Sequence, residues 1–352
     1  MLLYVRRVLG ICLGLGIFFL FFLVFRLPAQ AADFNVTTSP LPVILTVKPG
    51  QTISTILRVQ NSGTEATQLK VDLKKFKADG DSGRPTLLDR QPGDDYFDWV
   101  SFSKTTFDAE PQAWNDVVMT IKTPPTAAFG YYYAVVFSNA GPAPQASKTG
   151  SAVSGGSAVL VLVDAQAAGE KKELKVTSFT SDKKLYEYLP AYFKVTVHNS
   201  GNIFLAPSGN VFITRGSKTV ATLDLNPGGG NILPGTDRTF NVVWKDGFPV
   251  FELKYDHGQI VSDKNSNPVQ QLNWDFSKVN RLRFGHYNAH LLLTYDNGTS
   301  DVPVEADVSF WVVPWKITSI IVLVLVLIGI GIWTSGRGLV RRVRKKKPES
   351  KK

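Results

Sequence analysis

Three stretches of the sequence hold residue types that could do chemistry. In ADGDSGRP (78–85), Asp79, Asp81 and Gly83 begin like a calcium loop. The third acidic position and the closing glutamate of such a loop are missing, so the stretch reads as a hairpin turn. In GDDYFDW (93–99), Asp94, Asp95 and Asp98 stand beside aromatic residues, a composition that could set paired carboxylates on a sugar ring. Nothing in the sequence supplies their separation, and a solvated loop leading into a strand is the simpler reading. His286 and His290 share one face of an expected strand, but at about 3.3 Å per residue they stand about 13 Å apart, too far for one ion. The single cysteine, Cys12, lies in an N-terminal apolar run, so the body has no thiol for a disulfide, a metal or a nucleophile. No zinc-binding helix, phosphate loop or nucleophile elbow occurs. The chain is expected to carry no cofactor, no metal and no catalytic residues.

What remains as a candidate site is aromatic. FGYYYAVVF (129–137) returns as FGHYNAHLL (284–292), 155 positions later. Side chains alternate across a strand, so Tyr132, Ala134 and Val136 match Tyr287, Ala289 and Leu291 on an apolar face expected in the core. The other face holds Tyr131, Tyr133, Val135 and Phe137 in the first copy, but His286, Asn288, His290 and Leu292 in the second. Tyrosine offers a large apolar area with a polar tip, so Tyr131, Tyr133, Val135 and Phe137 form the candidate contact surface. The competing reading is that the 140–156 loop, another strand or the second domain covers them.

The elements that must position this stripe are strands. From Asp33 to Pro314, short β-branched and aromatic runs alternate with Gly, Pro, Asn and Asp, without a sustained helical period. TISTILRVQNSG (52–63) and AYFKVTVHNSG (191–201) end in the same V-x-N-S-G turn, which suits residues that tolerate positive φ. Two matches in the same order predict an all-β chain of two tandem immunoglobulin-like β-sandwiches, over 33–166 and 172–314. DAQAAGEKKE (164–173) is the expected linker, and AGPAPQASKTGSAVSGG (140–156) a long surface loop within the first sandwich.

The two ends concern membranes. Arg6 and Arg7 precede the apolar Val8–Phe25, followed by Pro28 and Ala29-Gln30-Ala31, which is the build of a signal peptide over 1–31. An uncleaved anchor is the alternative, because the apolar core is long. Near the other end, Ile317–Trp333 is apolar and long enough to cross a bilayer, with Trp311, Trp315 and Trp333 as interface anchors. The basic tail (334–352) includes Arg341, Arg342, Arg344, Lys345, Lys346 and Lys347, which can face anionic lipid or serve only as a stop-transfer signal. The positive-inside rule puts it in the cytoplasm and the body outside. These ends also account for the net charge of +10. Nine cations and one glutamate follow Trp333, three arginines lie in the first 31 residues, and the remainder carries 27 basic and 28 acidic residues. A nucleic-acid partner for the body loses its electrostatic support.

The run WVSFSKTTFDAEPQAWNDVVMTIKTPPTAAFGYYYAVVFS, then SAVLVLVDA, FGHYNAHLLLTY, FWVVPWK and the final helix with its basic tail together resemble bacterial WxL-interacting proteins. The resemblance implies a membrane-anchored surface protein whose sandwiches bind a cell-wall polymer or a surface protein, and it assigns no site residues. Three other readings stay open: a pilus-chaperone-like assembly factor that uses an exposed strand edge, a carbohydrate-active enzyme, and a docking subunit of a membrane complex.

Overall fold

A computed structural model describes residues 35–141 and 156–345. The signal segment, most of the 140–156 loop and the last residues of the tail, Lys346 and Lys347 among them, lie outside the described residues.

The first sandwich comprises β1 (Val36–Ser39), β2 (Val43–Val47), β3 (Thr52–Asn61), β4 (Thr67–Asp79), β5 (Arg84–Leu88), β6 (Val100–Phe102), β7 (Thr106–Ala109), β8 (Trp114–Lys122), β9 (Phe129–Asn139) and β10 (Gly156–Ala165). The second comprises β11 (Leu174–Ser181), β12 (Leu185–Tyr186), β13 (Ala191–Asn199), β14 (Ser208–Arg215), β15 (Lys218–Asp224), β16 (Asp237–Trp244), β17 (Val250–Leu253), β18 (Tyr255–Asp256), β19 (Gln259–Ile260), β20 (Gln270–Asn273), β21 (Gly285–Asp296) and β22 (Asp301–Val312). One helix, α1 (Trp315–Lys345), follows.

The two sandwiches repeat one plan. In the first, β1-β3-β8-β6 faces β2-β10-β9-β4-β5; in the second, β11-β13-β16 faces β12-β22-β21-β14-β15. The short strand β2 runs parallel to β10, as β12 runs parallel to β22. Strands β1 and β2 belong to opposite sheets, because the Pro40-Leu41-Pro42 break between them cannot sustain a ladder. Separate clusters of buried side chains fill the two sandwiches, one drawn from Val43 to Ala165 and the other from Leu174 to Val312. The all-β fold read from the alternation and the C-terminal helix read from its apolar run are therefore observed among the described residues.

The V-x-N-S-G repeat has a different cause from the one expected. No residue of either NSG turn has positive φ. The asparagine side chain carries the turn instead. Asn61 Nδ2 donates to Glu65 O at 2.7 Å and Ala109 O at 2.9 Å, while its Oδ1 accepts from Gly63 N at 3.0 Å. Asn199 repeats this on Ile203 O (2.8 Å), Ile232 O (2.8 Å) and Gly201 N (2.9 Å). Gly201 is required for room, since a Cβ there would lie 2.2 Å from Lys171 O.

One difference between the copies bears on function. Six residues (123–128) join β8 to β9, whereas forty (245–284) join their counterparts β16 and β21. That excursion contains β17 to β20 and a 3-10 turn, Phe276–Arg281.

Candidate functional site: the cleft between the sandwiches

The predicted contact stripe is core. Tyr133, Val135 and Phe137 are fully buried in the first sandwich, and Tyr131 packs against the same cluster. The cover is the GDDYFDW stretch, which forms a 3-10 turn, Asp95–Trp99. Tyr96 lies 5.5 Å from the Tyr131 ring and 5.3 Å from the Tyr133 ring, and Trp99 lies 4.7 Å from Tyr131. Tyr133 Oη donates to Tyr96 O at 3.0 Å. Two of the three acidic residues of that stretch face cations: Asp94 pairs with Lys75 at 2.8 Å and Asp98 with Arg90 at 2.6 Å. Each is held below the usual carboxylate range, chiefly by the hydrogen bond from its cation.

The mistaken face has a physical origin. The residue with positive φ at the start of the strand is Phe129 (+65°) in the first copy and Gly285 (+121°) in the second, 156 positions apart. The letters match at an offset of 155, but the inward parity follows the backbone, so a one-residue difference exchanges the faces. In the second sandwich Tyr287, Ala289 and Leu291 do face the core.

Tyr132 and Ala134 therefore point out of the first sandwich, and they meet the second. With Phe76 and Leu162 they pack on Leu233 and Phe204. Tyr132 is edge-on to Phe76 at 6.0 Å and to Phe204 at 6.2 Å. Beyond this contact the hairpin β4-β5 reaches across. Its tip is the ADGDSGRP stretch, and Asp81 accepts from Thr239 N (2.7 Å) at its carbonyl and from Thr239 Oγ1 (2.7 Å) at its carboxylate. Gly83, at φ +67°, lets the turn lie on Arg238, where a Cβ would come within 2.8 Å of the guanidinium carbon.

Between the hairpin, the outer face of β10 and the loop 228–233 lies a cleft of about 520 Å³. Its floor is apolar, with Phe76, Leu87, Leu160 and Leu162 on one side and Ile232 and Leu233 on the other. Arg238 is the cation on its wall. The guanidinium donates to Asn231 O at 2.8 Å, lies over the Phe240 ring, and makes no ion pair among the described residues. Burial lowers its pKa. The other charged lining residue, Asp237, contacts His198 at 3.1 Å. Concave, mostly apolar sites with a few polar groups are what ligands occupy, and domain junctions are a preferred place for them.

A second cluster marks the junction. Asp164, in the stretch expected to be a polar linker, belongs to β10 and is buried, and its Oδ1 has no hydrogen-bond partner among the described residues. Burial, then repulsion from Glu170, raises its carboxyl to about 6, against the opposing pull of Lys172. Lys172 Nζ lies 3.0 Å from Glu170 Oε1 and also feels Asp296. A carboxyl with a raised folded pKa binds its proton more tightly in the folded than in the unfolded chain. Stability is therefore expected to fall as pH rises from about 4 to about 6, by up to about 3 kcal/mol at 1.36 kcal/mol per pKa unit. Asp164→Asn should raise the melting temperature at neutral pH and flatten this dependence. An unchanged melting curve at both pH values would remove the assignment.

Trp315 opens α1 and Trp333 lies within it, with Trp311 just before the helix on β22. Trp315 and Trp333 are about 27 Å apart along an ideal helix, close to the thickness of a hydrocarbon core. Both are exposed, as is Trp311 at the end of β22. Within Trp315–Arg337 an 18-residue window has a mean hydropathy of 2.6, and none of that window is buried in the protein. The Arg337 guanidinium stands 4.0 Å over the Trp333 ring. Arg341, Arg342, Arg344 and Lys345 continue the helix. His286 and His290, read as surface residues, sit apart on β21: His286 is tilted on Trp311 at 4.9 Å and His290 contacts Asp307 at 3.1 Å. Among the described residues no three His, Cys, Asp or Glu side chains converge as a metal site.

No family model and no curated protein matches the chain. Solved structures similar to it include the class 5 fimbriae chaperone CfaA, at 13% identity over 78% of this chain and 99% of that one, with a TM-score of 0.37. The Pseudomonas aeruginosa chaperone CupB2 is 12% identical over 78% of this chain and 100% of that one, with a TM-score of 0.33. The E. coli chaperone DraB is 11% identical over 78% of this chain and 96% of that one, also at 0.33. Likeness at this level carries no functional argument.

Proposed function

We propose that this is a non-enzymatic, single-pass membrane protein whose two sandwiches bind a surface protein partner in the cleft between them. The observation that carries the reading is the cleft itself: an apolar floor with a single unpaired cation on its wall, formed jointly by two sandwiches that end in an exposed apolar helix. A cell-wall polymer is the weaker candidate occupant, because sugar hydroxyls would lie against Leu87, Leu160 and Leu162 without hydrogen-bond partners. An apolar segment of a protein, with a carboxylate near Arg238, satisfies both features of the site. The resemblance to WxL-interacting proteins supports the same role.

Leu160→Trp fills the cleft from β10 and should reduce capture of surface proteins by the full-length chain at least tenfold, with little change in melting temperature. Retained capture by a folded variant would exclude the cleft. Cell-wall fragments, as the alternative bait, should bind the variant and the parent equally.

The orientation rests on the cations that follow α1. Protease added to intact cells should remove the sandwiches and leave a small membrane-bound fragment containing 317–333. Full protection of the sandwiches where the outer surface is accessible would reverse the topology.

A further inference from the structure

The forty-residue excursion between β16 and β21, absent from the first sandwich, leaves an apolar surface in an unusual place. Trp274, Phe276, Val279, Leu282 and Phe284 are 44%, 73%, 56%, 52% and 47% exposed within eleven residues of chain. They are not loosely arranged. Trp274 stacks on Phe276 at 6.3 Å and meets Phe248 edge-on at 5.8 Å, and the Phe248 amide donates to Arg281 O at 3.0 Å.

The position of this patch is fixed by pairing. Phe284 immediately precedes Gly285, which pairs with Val312, and only Val313 and Pro314 separate Val312 from the start of α1. Trp274 also lies 6.4 Å from the Tyr188 ring, and the neighbouring Glu187 holds Lys316 of α1 at 2.9 Å. The patch and the apolar helix thus leave the sandwich at the same end. Leu185 and Trp311, paired side by side on β12 and β22, are exposed there too.

We propose that the 274–284 segment is a second membrane contact, seated in the headgroup region of the leaflet that α1 enters on the side of the sandwiches. The surface is continuous with the membrane-crossing helix, which selects lipid as its occupant over a soluble protein. Its composition agrees, since tryptophan and phenylalanine favour the headgroup level. Charge plays a smaller part. Lys278 is paired with Asp275 at 2.8 Å, and Arg281 and Arg283 share Asp246, so three cations stand against two carboxylates. Insertion of apolar side chains is the main attraction.

The inference rests on α1 crossing the bilayer, and the test separates the two. The full-length chain, with Cys12→Ser, receives one cysteine at a time by Phe276→Cys, Val279→Cys, Leu325→Cys or Glu65→Cys. Each is labelled with an environment-sensitive fluorophore and reconstituted in vesicles of phosphatidylcholine and phosphatidylglycerol carrying a quencher at headgroup or mid-chain depth. The label at 325 should be quenched from mid-chain. Labels at 276 and 279 should be quenched by the headgroup quencher several-fold more than the label at 65. If 325 is quenched while 276 and 279 behave like 65, the second contact is overturned and the crossing helix stands. If 325 is also unquenched, both fall. Melting of each labelled chain, matched to the parent, confirms that a lack of quenching reports position and not unfolding.

Discussion

Replacing Tyr133 by serine should cost the first sandwich about 3–5 kcal/mol, the range for truncating a large buried aromatic side chain. The ring is fully buried, meets Tyr96 at 5.3 Å and Phe97 at 5.9 Å, and its hydroxyl is bonded to Tyr96 O. Serine is too short to reach that carbonyl, so the variant combines a cavity with an unpaired acceptor. Tyr133→Phe keeps the packing and loses only the hydrogen bond, for about 1 kcal/mol. Tyr131→Ser should fall between them, because Tyr131 is only partly buried. Urea unfolding reads these differences as shifts in the midpoint of the first sandwich, with the second serving as an internal reference. A Tyr133→Ser chain as stable as the parent would return the residue to the surface and restore the contact stripe.

An effect of similar size is expected from Asn199→Ala. Two backbone groups lose their partner at once, Ile203 O and Gly201 N, while Ile232 O keeps the bond from Leu205 N at 3.1 Å. Asn199 is fully buried, so solvent does not replace those bonds in an unrelaxed site. At about 1–3 kcal/mol for each orphaned group, the loss should reach about 2–4 kcal/mol once partial relaxation is allowed. The loops at 200–204 and 231–233 should lose hydrogen-exchange protection before the sheets do. Asn61→Ala should reproduce this in the first sandwich. If either variant unfolds like the parent, the asparagine is incidental to the turn.

Much of the architecture was legible because strand alternation and repeated motifs are written in consecutive residues. V-x-N-S-G and F-G-x-Y-x-A fall on corresponding strands of two sandwiches with one topology. What failed was parity. The positive-φ residues Phe129 and Gly285 and the inward rows correspond at an offset of 156, one more than the letters, and a bulky residue in that conformation leaves no mark in the local sequence. The cover over Tyr131 and Tyr133 was unreadable for a second reason: GDDYFDW looks solvated until Lys75 and Arg90 pair with two of its three carboxylates. The cleft is a long-range product too. Leu160 and Leu162 from β10 meet Ile232 and Leu233 only after folding, although the outward row of Ala158, Leu160 and Leu162 is a visible sign that a second surface is needed.

The join between β22 and α1 is two residues long, Val313 and Pro314, and it carries a consequence for encounter with a partner. A flexible stalk would let the cleft sample a hemisphere of solution above the lipid. With α1 crossing the bilayer as proposed, a join this short, with proline limiting one of its few torsions, would hold the cleft within a thin layer at nearly constant height. For a partner anchored in the same bilayer, search becomes two-dimensional and the local concentration of cleft rises if the heights agree; if they disagree, no intrinsic affinity compensates. Lengthening this join with glycine and serine would then weaken capture of membrane-bound partners while leaving capture of the same partner in solution unchanged.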